Sequence, residues 1–286
     1  MGNVVVYVAG GAMSGIFSAG VLSYLKDLGV REHVSAIYGI SAGAFNAALF
    51  ATGQTHRIPE WYWTHVPREG IIRTTNPIRA LMGEEVLDSA RALEVLLQKH
   101  LINPEELLEM NTPIFFGLVD ADSKEFVWKD ARRPDVLQLL LATTAFYPFA
   151  HHPVPIDGKN FVDWGYGETV ALHSLRARHP NSKILIILNQ RIGSFSWRRS
   201  VAYGVMRYRD STFAQLWSET IDKAKDEFAI ALASPDALVI YPPEEFAVDA
   251  GTTDIEELRK GYAHGYHTAA SAREAIQQFL QLNVTH

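Results

Sequence analysis

Residues 34–51 read VSAIYGISAGAFNAALFA, and the way this stretch divides decides the fold. Val34 to Ile40 is an apolar run suited to a buried strand, and Ala42 to Ala51 reads as a helix that stops near Gly53. At the joint, Gly39-Ile40-Ser41-Ala42-Gly43 matches GxSxG. In that turn, glycines permit the strained backbone of a central serine and leave its hydroxyl exposed. The position between a strand and a helix is the setting the motif requires. The plainer alternative is a glycine-bounded turn with an idle serine.

Upstream the same unit occurs once more. Val4 to Ala9 (VVVYVA) is a continuous β-branched run closed by Gly10-Gly11, as expected of a parallel strand covered on both faces. Gly15 to Leu28 places Phe17, Val21, Tyr24, Leu25 and Leu28 on one helical face before Gly29. Strand, turn and helix twice within the first 55 residues predict a βαβα start to a parallel sheet. Downstream, strands are expected at Ile114–Val119, Glu125–Lys129, Lys183–Asn189 and Ala237–Tyr241. Helices are expected at Val86–His100, Pro134–Ala145, Ser211–Ala233 and Thr253–Leu280, the last opened by a Thr253…Glu256 capping box. Gln54 to Gly83, with Pro59, Pro67, Pro77 and the aromatic cluster Trp61-Tyr62-Trp63, reads as an irregular cap-like insertion. The cluster suits either the lining of an apolar pocket or, preferably, packing between cap and core. There is no repeat or Gly/Ser linker, so residues 1–286 read as a single α/β domain.

Composition narrows the chemistry. The chain has 286 residues, 48% of them hydrophobic, which is enough for a sizeable core. It contains no cysteine, so thiol nucleophiles, disulfide frameworks, thiolate zinc sites and iron–sulfur clusters are excluded. A net charge of −6 gives no global attraction to nucleic acid. No apolar run approaches the length of a signal peptide or membrane span, and Val6 stands where a myristoylation signal needs Ser or Thr. The chain is therefore expected to be cytoplasmic, without metal or cofactor and without a nucleic-acid partner.

Gly10-Gly11-Ala12-Met13-Ser14-Gly15 lies on the first strand-to-helix turn. Free N–H groups at a helix start, with glycines that let an oxygen approach, make an anion hole for a phosphate or a developing oxyanion. A dinucleotide-binding turn is the rival, but the spacing is GGxxxG, and neither Asp27 nor Glu32 ends the second strand as that role requires. A serine nucleophile also needs a base. His173, His179, His264 and His267 come late enough in the chain, yet none has a clear reason to face Ser41. Asp163, in Phe161-Val162-Asp163-Trp164-Gly165-Tyr166-Gly167, ends a short apolar run at a glycine-bracketed turn. Its plain alternative is a local turn cap.

Taken in order, Gly10-Gly11…Gly15…Gly20-Val21-Leu22, Gly39-Ile40-Ser41-Ala42-Gly43-Ala44 and Asp163-Trp164-Gly165 resemble the patatin-like phospholipase family. Weaker echoes at Val119-Asp120, Thr144-Ala145…Pro148…Pro153-Val154 and Tyr262…Gly265-Tyr266 extend the likeness over nearly the whole chain. The resemblance implies a three-layer α/β/α fold around a mostly parallel central sheet. It also implies hydrolysis of phospholipid or lysophospholipid esters by a Ser-Asp dyad: Ser41 as nucleophile, Asp163 as base, and Gly10, Gly11, Ala12 and Ala42 as oxyanion donors. A carboxylate base of this kind is best buried rather than paired with arginine, because desolvation raises its proton affinity. The chain departs from the family pattern at Ala12, Ser14 and Trp164. The departures keep in play a catalytically weakened relative that binds lipid or a partner, and a further alternative is a lipid acyltransferase, which the same serine elbow can serve. Finally, Arg191, Arg198, Arg199, Arg207 and Arg209 fall in an acid-free stretch interleaved with Trp197, Tyr203, Met206 and Tyr208. That pattern suits either peripheral contact with an anionic lipid surface through Arg198, Arg199, Arg207 and Arg209 or an ordinary solvated helix face.

Overall fold

The computed structural model describes residues 3–73, 87–146, 153–163, 169–192, 203–204, 206–208 and 211–281. Its centre is a mixed sheet of eight strands: β1 (Val4–Val8), β2 (Val34–Ile40), β3 (Ile114–Asp120), β4 (Phe126–Asp130), β5 (Val154–Ile156), β6 (Lys159–Asp163), β7 (Lys183–Ile187) and β8 (Ala237–Ile240). Strands β8, β7, β1, β2 and β3 are neighbours in that order and parallel, while β4 and β6 both run antiparallel to β3 and β5 hairpins onto β6.

Alternation along β1 explains the layers. Val4, Val6 and Val8 face a core shared with α1 (Ile16–Asp27), α2 (Ala42–Ala51) and the helices Val136–Thr144 and Ile255–Ser271. Val5, Tyr7 and Ala9 face the other side, packed by the helices Leu172–Arg178 and Ser211–Ala233. Because helices cover both faces, the central strands are apolar throughout, and the fold is the three-layer α/β arrangement that the resemblance implied.

Helix α1 is locked to Ile255–Ser271 by two glycines. A Cβ on Gly20 would collide with the Tyr262 carbonyl oxygen, and one on Gly265 with the Phe17 carbonyl oxygen, so the two helix backbones touch. The helix Ile255–Ser271 thereby buttresses the helix that follows the first glycine turn.

Some element boundaries differ from the sequence reading. Residues expected to be irregular are helical over Arg57–Glu60, a π turn at Trp61–His65, and Val66–Arg68. The three segments run on without a break: Pro59 falls in the first turn, where a missing N–H removes few bonds, and Pro67 falls one residue before the end, directly after the π turn. Residues 74–83 of the same stretch lie outside the described residues. Asp254, not Thr253, caps the helix Ile255–Ser271, accepting from the Glu257 N–H at 2.9 Å. The single helix expected over 253–280 is two, broken at Ala272. The hairpin strand Val154–Ile156 and the helix Leu172–Arg178 were too short to read from periodicity.

Candidate functional site

Strands β1, β2 and β7 end level with one another: Val8 lies opposite both Gly39 and Ile187. The turns that follow them therefore gather at one edge of the sheet, outside the carboxyl ends of parallel strands, where α/β folds bind ligands. Gly10–Gly15 follows β1, Ser41 follows β2, and Asn189 follows β7.

Asp163 reaches the same place from the opposite direction, and the sheet register shows how. Strand β3 has three partners but only two edges. β4 occupies one edge along Phe115–Val119. The other edge is shared: β2 covers it as far as Ile40 opposite Gly117, and β6 covers it from Asp163 opposite Leu118. Two strands running toward each other thus end on consecutive rungs, one strand rise or about 3.3 Å apart along β3. Ser41 is the next residue after Ile40, so the serine and the aspartate singled out from the sequence come together. Asp163 is 3% exposed, and its N–H donates to the Ala145 carbonyl at 3.0 Å.

The backbone of Ser41 is bent to φ 53°, ψ −128°, and its side chain makes no capping bond to α2. That is a strained region for a residue with a Cβ. The space around the turn enforces it. A Cβ on Gly43 would stand 2.5 Å from the Ala9 carbonyl oxygen and closer still to that of Val8, and one on Gly39 would stand 2.6 Å from Ala44 Cα. Helix α2 therefore seats directly on the end of β1, leaving the serine half-exposed at the crest.

The first turn lies against this crest, since a Cβ on Gly10 would be 3.1 Å from Ser41 Cβ. Ala12 sits at φ 47°, the left-handed conformation that favours glycine. No described residue accepts from the Gly10, Gly11 or Ala12 N–H groups, and neither this turn nor α2 is capped by a side chain. These are free donors of the kind that hold an oxyanion.

Behind the turn lies a buried polar network that the sequence reading missed. Asn189, wholly buried, donates from Nδ2 to the carbonyls of Ala9 (2.6 Å) and Gly10 (3.4 Å), and its Oδ1 accepts from the Ser18 N–H at 2.9 Å. Ser14 Oγ donates to the Gly11 carbonyl at 2.6 Å and is itself reached by Gln190 Nε2 at 3.4 Å. Asn46 Nδ2 donates to the Gly15 carbonyl (2.9 Å) and Ser18 Oγ (2.8 Å), and its Oδ1 accepts from the Tyr62 hydroxyl at 3.3 Å. Burial pushes the Tyr62 phenol well above its usual range, which keeps it a donor. A sequence signal did exist: an asparagine ending the apolar run KILIILN is an expensive residue to bury without a purpose.

The remaining candidates separate cleanly. Trp61 packs on Phe45 and Trp63 on Tyr262 while Tyr62 joins the network, so the aromatic cluster staples α2 and the helix Ile255–Ser271. Beside Asp163, Phe146 meets Trp217 edge-on at 6.2 Å, and Trp217 meets Tyr203, a half-buried aromatic wall at the same sheet edge. His179 bonds the Tyr38 hydroxyl at 2.7 Å, and burial lowers its pKa. His173 lies 3.9 Å from Glu227. Among the described residues no histidine is hydrogen-bonded to Ser41. Trp164, Arg198, Arg199 and Arg209 lie outside the described residues. Arg207 is exposed, and Arg191 pairs with Glu244 at 3.1 Å. Among the described residues there is no metal-binding cluster of His, Asp or Glu, and no helix long and apolar enough to cross a membrane.

Solved structures with the same architecture include VipD from Legionella pneumophila, with a TM-score of 0.56 and 11% identity over 98% of this chain and 67% of that one. The type III effector ExoU, known from Pseudomonas aeruginosa, aligns with a TM-score of 0.43 and 13% identity over 99% of this chain. The chain spans 54% of ExoU. At 11% identity the likeness to VipD concerns the fold. A search of curated proteins returned no match. The model of patatin-like phospholipases, however, matches residues 6–176, more than half of the sequence and inclusive of both glycine turns and Asp163. The chain belongs to the patatin-like phospholipase family.

Proposed function

We propose that the protein is a serine acyl hydrolase that cleaves ester bonds of phospholipids or lysophospholipids with a Ser41–Asp163 dyad. The observation that carries this reading is the register on β3, which ends β2 and β6 on consecutive rungs with the Gly10 turn against Ser41. In this mechanism Ser41 Oγ attacks the ester carbonyl while the Asp163 carboxylate takes the hydroxyl proton. The carbonyl oxygen, now anionic, is held by the N–H groups of Gly10, Gly11, Ala12 and Ala42. Collapse expels the alcohol, which receives the proton from Asp163. Water then attacks the acyl-serine with the same carboxylate as base, releasing the fatty acid and restoring Ser41. The apolar wall of Phe146, Trp217 and Tyr203 gives the acyl chain a place to lie.

A fluorophosphonate probe should label the wild-type protein and fail to label Ser41→Ala. Asp163→Asn should retain its fold and lose turnover of p-nitrophenyl esters by about 10²–10⁴-fold, the range of a lost general base. A wild-type protein that neither labels nor hydrolyses any such ester would sink the reading.

A further inference from the structure

We infer that Asn189 and Ser14 are positioning residues that aim the oxyanion donors by holding the carbonyls of the same peptide units. The inference rests on the hydrolase reading above. It deepens that reading by identifying what orients the anion hole.

A trans peptide unit is planar, and its C=O and the following N–H point in opposite directions. Anchoring the carbonyl of one residue therefore fixes the direction of the next residue's N–H. Asn189 Nδ2 takes the carbonyl of Ala9, which sets the Gly10 N–H, and more weakly that of Gly10, which sets the Gly11 N–H. Ser14 takes the carbonyl of Gly11 with both its hydroxyl (2.6 Å) and its N–H (3.1 Å), which sets the Ala12 N–H. Three successive units thus have their carbonyls drawn toward buried side chains. Their N–H groups are turned the opposite way, and the turn that carries them lies against Ser41, where a Cβ on Gly10 would be 3.1 Å from Ser41 Cβ.

The amide of Asn189 has only one chemically consistent orientation. The Ser18 N–H must meet its oxygen and the two carbonyls its nitrogen. The same side chain therefore ties the turn to the start of α1 and to the end of β7, leaving the loop little freedom to rotate a peptide. Asn189 lies beyond residues 6–176, so this control comes from outside the segment that matches the family model. The inference also accounts for Ser14, one of the departures from the family pattern, as the residue that holds the Gly11 carbonyl. Preorganised donors matter most when charge develops, so the effect belongs to the transition state rather than to substrate binding.

The experiment compares wild type, Asn189→Asp and Ser14→Ala in ester turnover and in inhibition by two ligands. One is a long-chain trifluoromethyl ketone, which forms a tetrahedral oxyanion on the nucleophile; the other is the matching alkyl ether, which does not. Asn189→Asp keeps the shape and the acceptor toward Ser18 but loses the two amide N–H donors: as a carboxylate it offers the carbonyls none, and as a neutral acid a single O–H for both. It should lower kcat by about 10²–10³-fold, the cost of one lost oxyanion donor, and weaken the ketone in parallel. KM and ether inhibition should stay within about twofold, the pattern of an interaction made only in the transition state. Ser14→Ala keeps its N–H bond to Gly11 and should lose about 10-fold in the same pattern.

An active Asn189→Asp with unchanged ketone affinity overturns the inference and leaves the hydrolase reading standing. So does a loss confined to KM, or a loss no larger than the fraction of protein unfolded. If Asn189→Asp does not fold, Ser14→Ala decides: parallel loss of kcat and ketone affinity supports the inference, and unchanged values overturn it. An inert, unlabelled wild type overturns both readings.

Discussion

The two glycine turns stand side by side at one sheet edge and are held by opposite means. The turn after β1 is held by hydrogen bonds: Asn189 and Ser14 grip its carbonyls, and its glycines make room for those side chains, since a Cβ on Gly11 would stand 2.6 Å from Ser14 Oγ and 3.1 Å from Asn189 Cβ. Among the described residues the turn after β2 has no side-chain capping bond. It is held by lack of space, with Gly43 pressed onto the end of β1 and Ser41 forced to positive φ. The difference suits the two proposed tasks. Donors that must point at a developing charge need directional anchors, whereas a nucleophile that must protrude needs a rigid, crowded seat. Polar anchoring should therefore fail through chemistry and steric seating through packing.

The largest effect follows from breaking the steric seat. In Gly43→Ala the new methyl meets the Val8 and Ala9 carbonyls, backbone atoms at the end of a central strand that cannot step aside. Overpacking of this kind should destabilise the fold by about 3 kcal/mol, read as a lower denaturant midpoint at unchanged slope. A midpoint within experimental error of wild type would show that the second turn has slack, and the contrast between the turns would collapse.

A smaller effect of opposite sign sharpens the contrast. Ser41 is a non-glycine residue at φ 53°, ψ −128°, and such strain costs of order 1–3 kcal/mol. Ser41→Gly relieves it, against a loss of about 0.5–1 kcal/mol from the freer unfolded chain. The variant should therefore be more stable than wild type by about 1 kcal/mol, while Ser41→Ala, which keeps the Cβ, should stay near wild type. Equal denaturant midpoints for the two variants would mean the crest is not strained.

This division also explains what could be read from the sequence. The steric turn was legible because its requirements are local: GxSxG between a strand run and a helix run states the geometry in five consecutive residues. The layered fold was legible for the same reason, through the β-branched runs of β1, β2 and β7. Asn189 was not, because its partners Ala9, Gly10 and Ser18 lie more than 170 positions away in sequence, and no spacing rule links them. Asp163 could be proposed from its turn, but its nearness to Ser41 depends on β2 and β6 sharing one edge of β3, a fact of register alone. The helix at Arg57–Arg68 was hidden by its prolines, one in its first turn and one next to its last residue, and the π turn at Trp61–His65 has no period to detect.

The smallest effect concerns the strand that delivers Asp163, which is held by a third means. Among the described residues neither glycine turn contains an ion pair, but β6 is clamped to β3 by one, Lys159 Nζ to Asp120 Oδ2 at 2.8 Å. Asp120 lies opposite Phe161, two residues before Asp163, so the clamp closes the rungs that carry the carboxylate. Oδ1 of Asp120 also accepts from the N–H groups of Asp122 and Ser123 at 3.0 and 3.1 Å. The Lys159 ammonium, helped by these two N–H groups, holds the Asp120 carboxyl below the usual carboxylate range, although burial pushes the other way. A carboxylate with a lowered folded-state pKa stabilises the fold above its unfolded value, near 3.9, and this contribution disappears as pH falls through the folded value. Asp120→Asn keeps an oxygen for the turn N–H groups and removes only the charge. At pH 7 the variant should be less stable by about 0.5 kcal/mol, because Lys159 is 61% exposed and water screens the pair. Melting curves of wild type and variant should converge as the pH is lowered from 5 toward 2. A gap that persists at low pH would assign the effect to turn geometry and leave β6, like the second glycine turn, held by shape alone.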